Sequence, residues 1–464
     1  MNYSDLGNAK RLIAYCKGEI RYCPELGGWF YWDGKRWVFD LDFYVYRKAK
    51  ELITGYYGEA ENEKDSEIRM ALAKHSLDSE STKNIKAMIE SAKSEPGVVI
   101  HLEEFDQNKW LFNVENGTID LRTGEIREHR KEDLIRKLAP VTYDKNNEYT
   151  MWKEFLRTIL PEQQVRYYLQ QIAGMSLTGD ISERLFFMIY GPGANGKTTF
   201  INVLGAMMGD YCVSIPPESL LRGTTSTSAS SAIAATMGAR LIITVEPEEG
   251  ARLRESLVKQ MTGEDMVTAR YLYKNFTTFY SQGKILLATN YKPTIRETKK
   301  AIWDRIRLIT FPVSFSEKER IKGFAHKLEE ELSGILNWVI EGCLAWQNDG
   351  LLTPGSVRAA TEEYRKEMDT IELFMDERCV TGAHEEVRVS KLYSVYTNWC
   401  IGSRETPLTK RAFGMKLKER GFEQRRTRDW RFWTGIGVHP NHGSFEMDIS
   451  PLASFLETPK IIPN

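Results

Sequence analysis

A glycine-rich segment between two apolar stretches constrains this chain of 464 residues more than any other feature. The segment GPGANGKTT, residues 191–199, follows the pattern of Gly, any four residues, Gly, Lys and Thr. The preceding LFFMIY is typical of a buried strand, and the following TTFINVLGAM is typical of a helix. Glycines there let backbone N–H groups point at phosphate oxygens, and the helix directs its positive end at the same anion. The sequence therefore predicts a strand, a phosphate-binding loop and a helix.

The residues of this loop are the predicted nucleotide contacts: Gly191, Pro192, Gly193, Ala194, Asn195, Gly196, Lys197, Thr198 and Thr199. Lys197 can reach the β and γ phosphates as a point charge, and the Thr198 hydroxyl can hold Mg²⁺. We therefore predict ATP and Mg²⁺ as ligands. The alternative is a glycine turn with an accidental Lys-Thr, which the flanking strand and helix disfavour.

A second apolar strand, RLIITVE, ends in Glu246 and continues into Pro-Glu-Glu-Gly. If this strand neighbours the strand of the phosphate loop, Glu246 can bind Mg²⁺ directly or through water. Glu248 and Glu249 compete for the role of activating the attacking water, and the sequence does not separate them. The alternative is a strand that stops at an acidic turn.

Two further motifs complete the predicted catalytic site. The strand KILLATN ends in Asn290, whose amide can orient the attacking water or sense the γ-phosphate, unless it is a buried turn residue. In AIWDRIRLITF, we favour Arg305 as the arginine that reaches a neighbouring subunit's γ-phosphate. Arg307 is the alternative for that role, or it pairs with a surface carboxylate. Four apolar residues of this segment are expected in the core: Trp303, Ile306, Leu308 and Ile309.

The order of apolar and amphipathic segments predicts an α/β fold with several domains. From residue 151, strand-like runs alternate with helices, which indicates a parallel sheet with helices on its faces. The predicted segments are a mixed α and β domain at 1–150, a motor with a helical segment at 151–375, a basic module at 376–440 and a tail at 441–464. In the first domain, Asp33-Gly34 and Asn116-Gly117 predict hairpins. Its aromatic residues could stack on bases, although a small aromatic core is the favoured interpretation: Trp29, Phe30, Trp32 and Trp37.

Charge and cysteine content exclude several classes of protein. The 63 Lys and Arg against 64 Asp and Glu give a net charge of -1, which excludes a wholly basic DNA-coating protein but not a local basic patch. The six cysteines form no CxxC pair, which argues against a zinc ribbon or a disulfide framework and favours a reducing cytoplasm. The polar N-terminus is no signal peptide, and no apolar run approaches the roughly 18 residues that span a bilayer. We therefore expect a cytoplasmic protein without membrane contact.

The motor motifs occur in an order that resembles a known family. GPGANGKTT, RLIITVEPEEG, LVKQMTGEDMVTARYLY, KILLATN and AIWDRIRLITF together resemble superfamily 3 helicases of the AAA+ class. The resemblance is closest to the helicase half of phage and plasmid primases, the group that includes the poxvirus primase-helicase. DLGNAKRL, GWFYWDGKRWV and NVENGTIDLRTGEI look like the domain that precedes the motor in that group.

This resemblance implies an AAA+ phosphate-loop core and hexameric rings around DNA, with ATP between subunits. Lys197, Thr198, Glu246 and Asn290 would then serve one subunit, and Arg305 would come from the next. The resemblance also implies a pore hairpin before the Asn290 strand, with Tyr273, Lys274 and Asn275 at its tip. Lys274 would grip a backbone phosphate, and Tyr273 or Phe276 could pack on sugar or base. The alternative is an ordinary surface hairpin.

The chain departs from the family pattern in two respects. The family often carries a primase-polymerase domain ahead of the motor, whereas this sequence begins at the segment that matches the helicase. We expect either a helicase that acts alone or one cut from a longer chain, with a separate primase or polymerase as a possible partner. The acidic motif is Glu-Pro-Glu-Glu rather than two adjacent acids, which leaves the second carboxylate open.

The basic module predicts a nucleic-acid-binding domain. Its order of helix, helix and β ribbon is typical of a winged helix. Residues 385–432 contain twelve Lys and Arg against six Asp and Glu, a net charge of +6. The candidate DNA contacts are Lys410, Arg411, Arg425 and Arg426, and the alternative is a solvated basic face. The expected small core comprises Leu408, Phe413, Met415, Leu417 and Phe422.

These features together predict an ATP-dependent hexameric DNA helicase that acts on single-stranded or forked DNA. It would replicate a phage, plasmid or other mobile element in a bacterial cytoplasm. The alternatives are a DNA-binding ATPase that melts or marks an origin, and a packaging-type motor or nucleotide switch without processive unwinding.

Overall fold

The computed structural model describes residues 4–221, 227–245, 249–270, 276–297, 300–403 and 405–439. The chain divides into two compact units, Met1–Thr361 and Glu362–Asn464. Among the described residues, no helix combines the length and the hydropathy that crossing a membrane requires.

The first unit opens with a mixed α and β region. Its elements are α1 (Asp5–Tyr15), β1 (Ile20–Cys23), β2 (Gly28–Trp32), β3 (Trp37–Phe39), α2 (Tyr44–Asn62), α3 (Ser66–Ser79), α4 (Thr82–Ala92), β4 (Leu111–Val114), β5 (Gly117–Asp120) and β6 (Glu125–Arg127). The strands form two antiparallel three-stranded sheets, β1-β2-β3 and β4-β5-β6. The hairpin at Asp33-Gly34 is confirmed, because β2 pairs with β3 across it. Trp29, Phe30 and Trp37 are at most 8% exposed and Trp32 is half-buried against them, which confirms the aromatic core.

The second part of this unit contains the predicted alternation of strands and helices. Its elements are α5 (Thr150–Ile159), α6 (Gln163–Ser176), β7 (Phe186–Tyr190), α7 (Lys197–Met208), β8 (Cys212–Ser214), α8 (Thr227–Ala235), β9 (Leu241–Val245), α9 (Glu255–Met261), β10 (Met266–Arg270), β11 (Phe276–Tyr280), β12 (Lys284–Thr289), α10 (Lys300–Trp303), β13 (Ile306–Thr310), α11 (Phe324–Glu329) and α12 (Leu332–Asp349). Five of these strands form one parallel sheet in the order β13-β7-β12-β9-β8. The α/β prediction is therefore confirmed.

The strand order decides which loops meet at the carboxyl edge of the sheet. β12 lies between β7 and β9, with Thr289 opposite Tyr190 and Ala288 opposite Val245. The strand that leads to Glu246 is therefore separated from the phosphate-loop strand by one strand, so the condition of adjacent strands is not met. Because β12 occupies the central place, Asn290 borders both the phosphate loop and the end of β9.

Helices α6 and α12 approach each other closely in the core of this unit. A Cβ atom at Gly174 would lie 2.0 Å from the backbone nitrogen of Cys343, and one at Gly342 would lie 2.1 Å from the carbonyl oxygen of Gln170. Only glycine fits at both positions. The two helices can therefore bury their apolar faces in the same core as β7 and α7.

A buried lysine, Lys284, holds the amino edge of the sheet. Lys284 Nζ donates to the carbonyl oxygens of Thr178, Asp180 and Gln282 at 2.5, 3.1 and 3.2 Å. Burial lowers the pKa of Lys284 well below its usual range, and the nearby Arg240 charge acts in the same direction. These contacts connect the start of β12 to the loop that follows α6.

Lys284→Met is expected to lower the free energy of unfolding by about 2 kcal/mol, because three carbonyl groups lose a shared donor. The folded state lowers the lysine pKa, so it binds fewer protons than the unfolded state between the two pKa values. The wild-type contribution therefore rises with pH, and the deficit of the variant should grow as the pH rises toward the usual pKa of a lysine. Urea unfolding followed by circular dichroism measures this deficit. The exposed Lys10→Met is the control, and a deficit that shrinks with pH would contradict the prediction.

The second unit is a small α and β domain with its own core. Following α13 (Gly355–Met368), which contains the boundary between the units, its elements are α14 (Thr370–Arg378), β14 (Cys379–Arg388), α15 (Val389–Gly402), α16 (Lys410–Glu419), β15 (Glu423–Arg426) and β16 (Arg431–Val438). The strands form an antiparallel sheet in the order β14-β16-β15. Phe413 and Leu417 are buried in its core, as predicted, but Met415 is 56% exposed. The expectation for Met415 is wrong because a residue two positions from Phe413 lies on the opposite side of a helix.

Candidate nucleotide-binding site

The phosphate loop has the local structure that its glycines predict. It connects the end of β7 at Tyr190 to the start of α7 at Lys197. Gly193 and Gly196 have φ angles of 99° and 81°, a backbone conformation that residues other than glycine rarely adopt. A Cβ at Gly191 would lie 2.1 Å from Asn195 Nδ2. The backbone can therefore bend tightly here and turn its N–H groups toward an anion at the start of α7.

Lys197 is the central cation of this loop. Its side chain is buried, with 4% exposure. Its Nζ donates to Gly191 O at 2.8 Å, to Asn195 Oδ1 at 2.9 Å and to Asn290 Oδ1 at 2.9 Å. The predicted loop lysine and the predicted amide at the tip of β12 are thus brought into direct contact, although they are far apart in sequence.

Thr198 and its neighbours are accessible from solvent. Thr198 is exposed in the first turn of α7, and Pro192 and Ala194 are also exposed. The Thr198 hydroxyl fits a Mg²⁺ site, because it is a hard oxygen ligand at the positive end of a helix where phosphates bind.

Of the predicted carboxylates, only Glu249 belongs to the described residues. It is exposed and precedes Gly250, whose φ angle is 74°. Glu246 and Glu248 lie outside the described residues, and β9 ends at Val245 immediately before them.

An apolar cavity of about 530 Å³ adjoins the phosphate loop. Its walls include Ala194, Gly196 and Thr199 of the loop together with Phe155 of α5 and Phe324 of α11. The centroids of the two phenylalanine rings are 5.6 Å apart. A cavity lined in this way suits a flat ring system. These two residues were not predicted from the sequence, because the apolar face of α5 indicated only a core helix.

Arg305 lies at the opposite edge of the sheet from Lys197. It directly precedes β13, and its carbonyl oxygen accepts a hydrogen bond from Phe186 N at the start of β7. The five residues of β7 separate this edge from the phosphate loop, a distance on the order of 13 Å. Arg305 Nη1 donates to Thr262 Oγ1 at 3.2 Å. Arg305 and Lys197 of one chain therefore do not meet.

Arg307 is held by its own segment. Its Nη1 donates to the carbonyl oxygens of Asp304 and Ile306 at 2.9 and 2.8 Å. The expected core residues around it are buried, as predicted: Trp303, Ile306, Leu308 and Ile309.

The candidate DNA contacts fall into two groups. Tyr273, Lys274 and Asn275 lie outside the described residues. The strands β10 and β11, which flank residues 271–275, pair antiparallel. Phe276, the first residue of β11, is 68% exposed. In the second unit, Lys410 and Arg411 are exposed at the start of α16, and Arg426 is exposed on β15. Arg425 differs from these residues, because its Nη2 lies 2.6 Å from Glu386 Oε2, which offsets its charge.

Three sequence profiles match successive segments of the chain. They are described as D5 N terminal like over residues 9–161, a family of unknown function (DUF5906) over residues 189–305, and Poxvirus D5 protein-like over residues 366–451. The resemblance to D5-like superfamily 3 helicases is confirmed. The second profile contains the phosphate loop, Asn290 and Arg305.

Viral proteins are among the relatives of this chain. It is 28% identical over 322 residues to L207/L206 of Acanthamoeba polyphaga mimivirus, which is assigned as a helicase. It is 25% identical over 325 residues to C962R of African swine fever virus, which is assigned as a primase. Each alignment covers 64% of this chain and 34% of the relative. The chain thus spans about a third of the length of the curated relatives it matches.

A solved structure shares the fold of this chain. The apo structure of the NrS-1 C-terminal region aligns over 94% of this chain and 100% of that chain, with a TM-score of 0.51 and 9% sequence identity. At that identity, the likeness concerns the fold alone.

Proposed function

We propose that this chain is an ATP-dependent DNA helicase that forms a ring and serves the replication of a phage, plasmid or other mobile element. The observation that carries the proposal is the contact of 2.9 Å between Lys197 Nζ and Asn290 Oδ1. It joins the phosphate loop to the tip of the neighbouring strand, so a γ-phosphate held by Lys197 also comes within reach of an amide that can orient water.

ATP is the proposed substrate of the loop. Its phosphates lie against the backbone of residues 191–199, and its base enters the cavity that Phe155 and Phe324 line. Thr198 and Glu246 would hold Mg²⁺ and neutralise phosphate charge, since β7 and β9 end at the same edge of the parallel sheet although β12 lies between them. Glu248 or Glu249 takes the proton of the attacking water, and Asn290 orients that water.

A second protomer completes the proposed site. Arg305 lies about one strand length from its own phosphate loop, which supports a role at the γ-phosphate of a neighbouring chain. An arginine in that place offsets the charge that develops on the transferred phosphoryl group. As the resemblance to superfamily 3 helicases implies, the proposed assembly is a closed ring of six protomers, in which each seam contributes Lys197 from one side and Arg305 from the other.

DNA contacts are proposed in the pore and in the second unit. Tyr273, Lys274 and Asn275, which lie outside the described residues, are proposed to hold the backbone of one DNA strand in the pore, as the family resemblance implies. The order of elements α14 to β16 supports a winged helix, with Lys410 and Arg411 of α16 directed at DNA. The proposed substrate is single-stranded or forked DNA, with primers supplied by a separate primase or polymerase.

The test combines strand displacement on a forked duplex with mass measurement in the presence and absence of DNA. We expect ATP-dependent release of the labelled strand and a ring of six protomers on DNA. ATP hydrolysis without strand release would instead favour an origin-melting or packaging motor. A protein that stays monomeric with every ligand and releases no strand would refute the proposal.

Lys274→Ala is expected to keep the hydrolysis seen without DNA and to lose both stimulation by DNA and strand release, because the phosphate grip is removed. Lys274→Arg, which keeps the charge, should retain most of the stimulation. The readouts are phosphate release with and without DNA and displacement of the labelled strand. Normal unwinding by the alanine variant would show that Lys274 does not hold DNA in the pore.

A further inference from the structure

A groove of about 750 Å³ lies on the N-terminal region of the first unit. We name it the N-terminal groove and define it by Tyr22 and Trp29 of the β1-β2 hairpin, Tyr46 and Lys50 of α2, and Lys86 and Lys93 of α4. Phe43, Arg47 and Glu90 also line the groove. None of these residues belongs to the nucleotide site.

The groove carries a surplus of positive charge. At the start of α2, Phe43, Arg47 and Lys50 follow the spacing i, i+4 and i+7 and therefore share one side of the helix. Lys86, Glu90 and Lys93 have the same spacing on α4. Each helix thus directs one basic face at the groove. Among the described residues that line it, Glu90 is the one carboxylate, and Glu90 Oε2 lies 2.6 Å from Lys93 Nζ. The rest of the basic side chains have no acidic partner within the groove lining, in a chain whose net charge is -1.

Aromatic rings lie between these cations. Lys50 Nζ is 5.1 Å from the ring centroid of Tyr46, and Lys93 Nζ is 4.8 Å from that of Tyr22. Trp29 is buried in the floor with 8% exposure. A base that stacks on one of these tyrosine rings would displace the ammonium group from the ring, and the displaced ammonium would stay within reach of the neighbouring phosphate.

Phe43 is held at the rim in an unfavourable backbone conformation. Its φ angle is 59°, which costs a residue other than glycine on the order of 1 kcal/mol, and its side chain is 73% exposed. Asp40 takes over the capping of α2, because its two carboxylate oxygens accept from Tyr44 N at 2.7 Å and Val45 N at 3.0 Å. The backbone therefore presents a large aromatic ring to solvent beside the basic face.

We propose that the N-terminal groove binds a short segment of single-stranded nucleic acid. Alternating aromatic rings and cations match the alternation of bases and phosphates in a single strand, whose bases are free to stack. A duplex would use the cations but not the rings, because its bases are already stacked. This site requires neither ATP hydrolysis nor the pore, so it stands or falls separately from the proposed motor.

Photochemical cross-linking of the full chain tests the location. The probe is an oligothymidine of about 12 nucleotides that carries 4-thiothymidine, in the absence of nucleotide. Mass spectrometry is expected to find cross-links at Tyr22, Phe43 or Tyr46, and an excess of unlabelled single strand should suppress them while an equal amount of duplex does not. If no cross-link maps to residues 22–93, or if duplex or an acidic peptide competes equally well, the proposal is overturned.

Fluorescence anisotropy with the same strand tests the chemistry. Lys50→Gln with Lys86→Gln should reduce the slope of log affinity against log salt by about 1.4, since two phosphate contacts are lost. Phe43→Ala should weaken binding by at least about fivefold without changing that slope, since only stacking is lost. The exposed pair Lys10→Gln with Lys74→Gln is the matched control and should leave both values unchanged. If the groove variants equal this control, the proposal fails, whereas their DNA-free ATP hydrolysis should stay at the wild-type rate.

Discussion

Lys197→Ala is expected to lower the rate of ATP hydrolysis on the order of a thousandfold, because the phosphates lose their central cation. The structure gives a second reason: Lys197 Nζ also connects Gly191 O, Asn195 Oδ1 and Asn290 Oδ1. Its removal frees the amide of Asn290 from the loop, so both phosphate binding and water orientation are disturbed. Phosphate release measures the effect, and binding of single-stranded DNA without nucleotide should stay unchanged.

The control for this variant must separate a lost cation from a misfolded loop. Lys197 is buried, and its removal leaves three oxygen acceptors without this donor. Each unsatisfied acceptor lowers the free energy of unfolding by about 1–3 kcal/mol. Lys197→Met fills the same space and should be equally inactive, with a circular dichroism spectrum like that of the wild type. The exposed Lys64→Ala should hydrolyse ATP normally. Hydrolysis that survives in both Lys197 variants, with folding intact, would contradict the site.

Local sequence signals predicted much of the fold and of the candidate site. The phosphate loop needs glycines at Gly193 and Gly196 because the chain adopts positive φ angles there, and the pattern is therefore visible in the sequence. The hairpin at Asp33-Gly34 is equally local, because Asp33 Oδ1 accepts hydrogen bonds from Lys35 N and Arg36 N in the same turn. Asn290 was predicted from its place after an apolar strand, and its contact with Lys197 follows from parallel pairing of β7 and β12.

Contacts between distant segments were not predicted. The Phe155 and Phe324 rings of the cavity come from helices at 150–159 and 324–329, and nothing in either segment indicates the other. Lys284 follows a turn at the start of an apolar strand and gives no sign that it is buried against Thr178. The strand order also depends on the tertiary fold, because periodicity identifies strands but not their neighbours.

Arg305→Ala is expected to lower ATP hydrolysis about 10³-fold in the assembled ring, the range typical of a missing arginine at a γ-phosphate. Binding of the nucleotide should change little, since Arg305 lies across the sheet from the phosphate loop of its own chain. Arg305→Lys should restore only part of the rate, because an ammonium lacks the planar fork of a guanidinium. Arg307→Ala is the matched comparison, because Arg307 donates to carbonyl groups of its own segment and should be the less sensitive site.

Mixing two inactive variants tests whether the site is shared. In a mixture of Arg305→Ala and Lys197→Ala protomers, some seams combine an intact Lys197 from one variant with an intact Arg305 from the other. These seams should hydrolyse ATP, so activity should appear on mixing and follow the product of the two fractions, with a maximum near equal amounts. A site contained within one chain gives no recovery at any ratio, because each protomer still lacks one essential group. If rings are shown to form and the mixture stays inactive, Arg305 does not act across the seam, and the strand-length separation from Lys197 then excludes it from the reaction altogether.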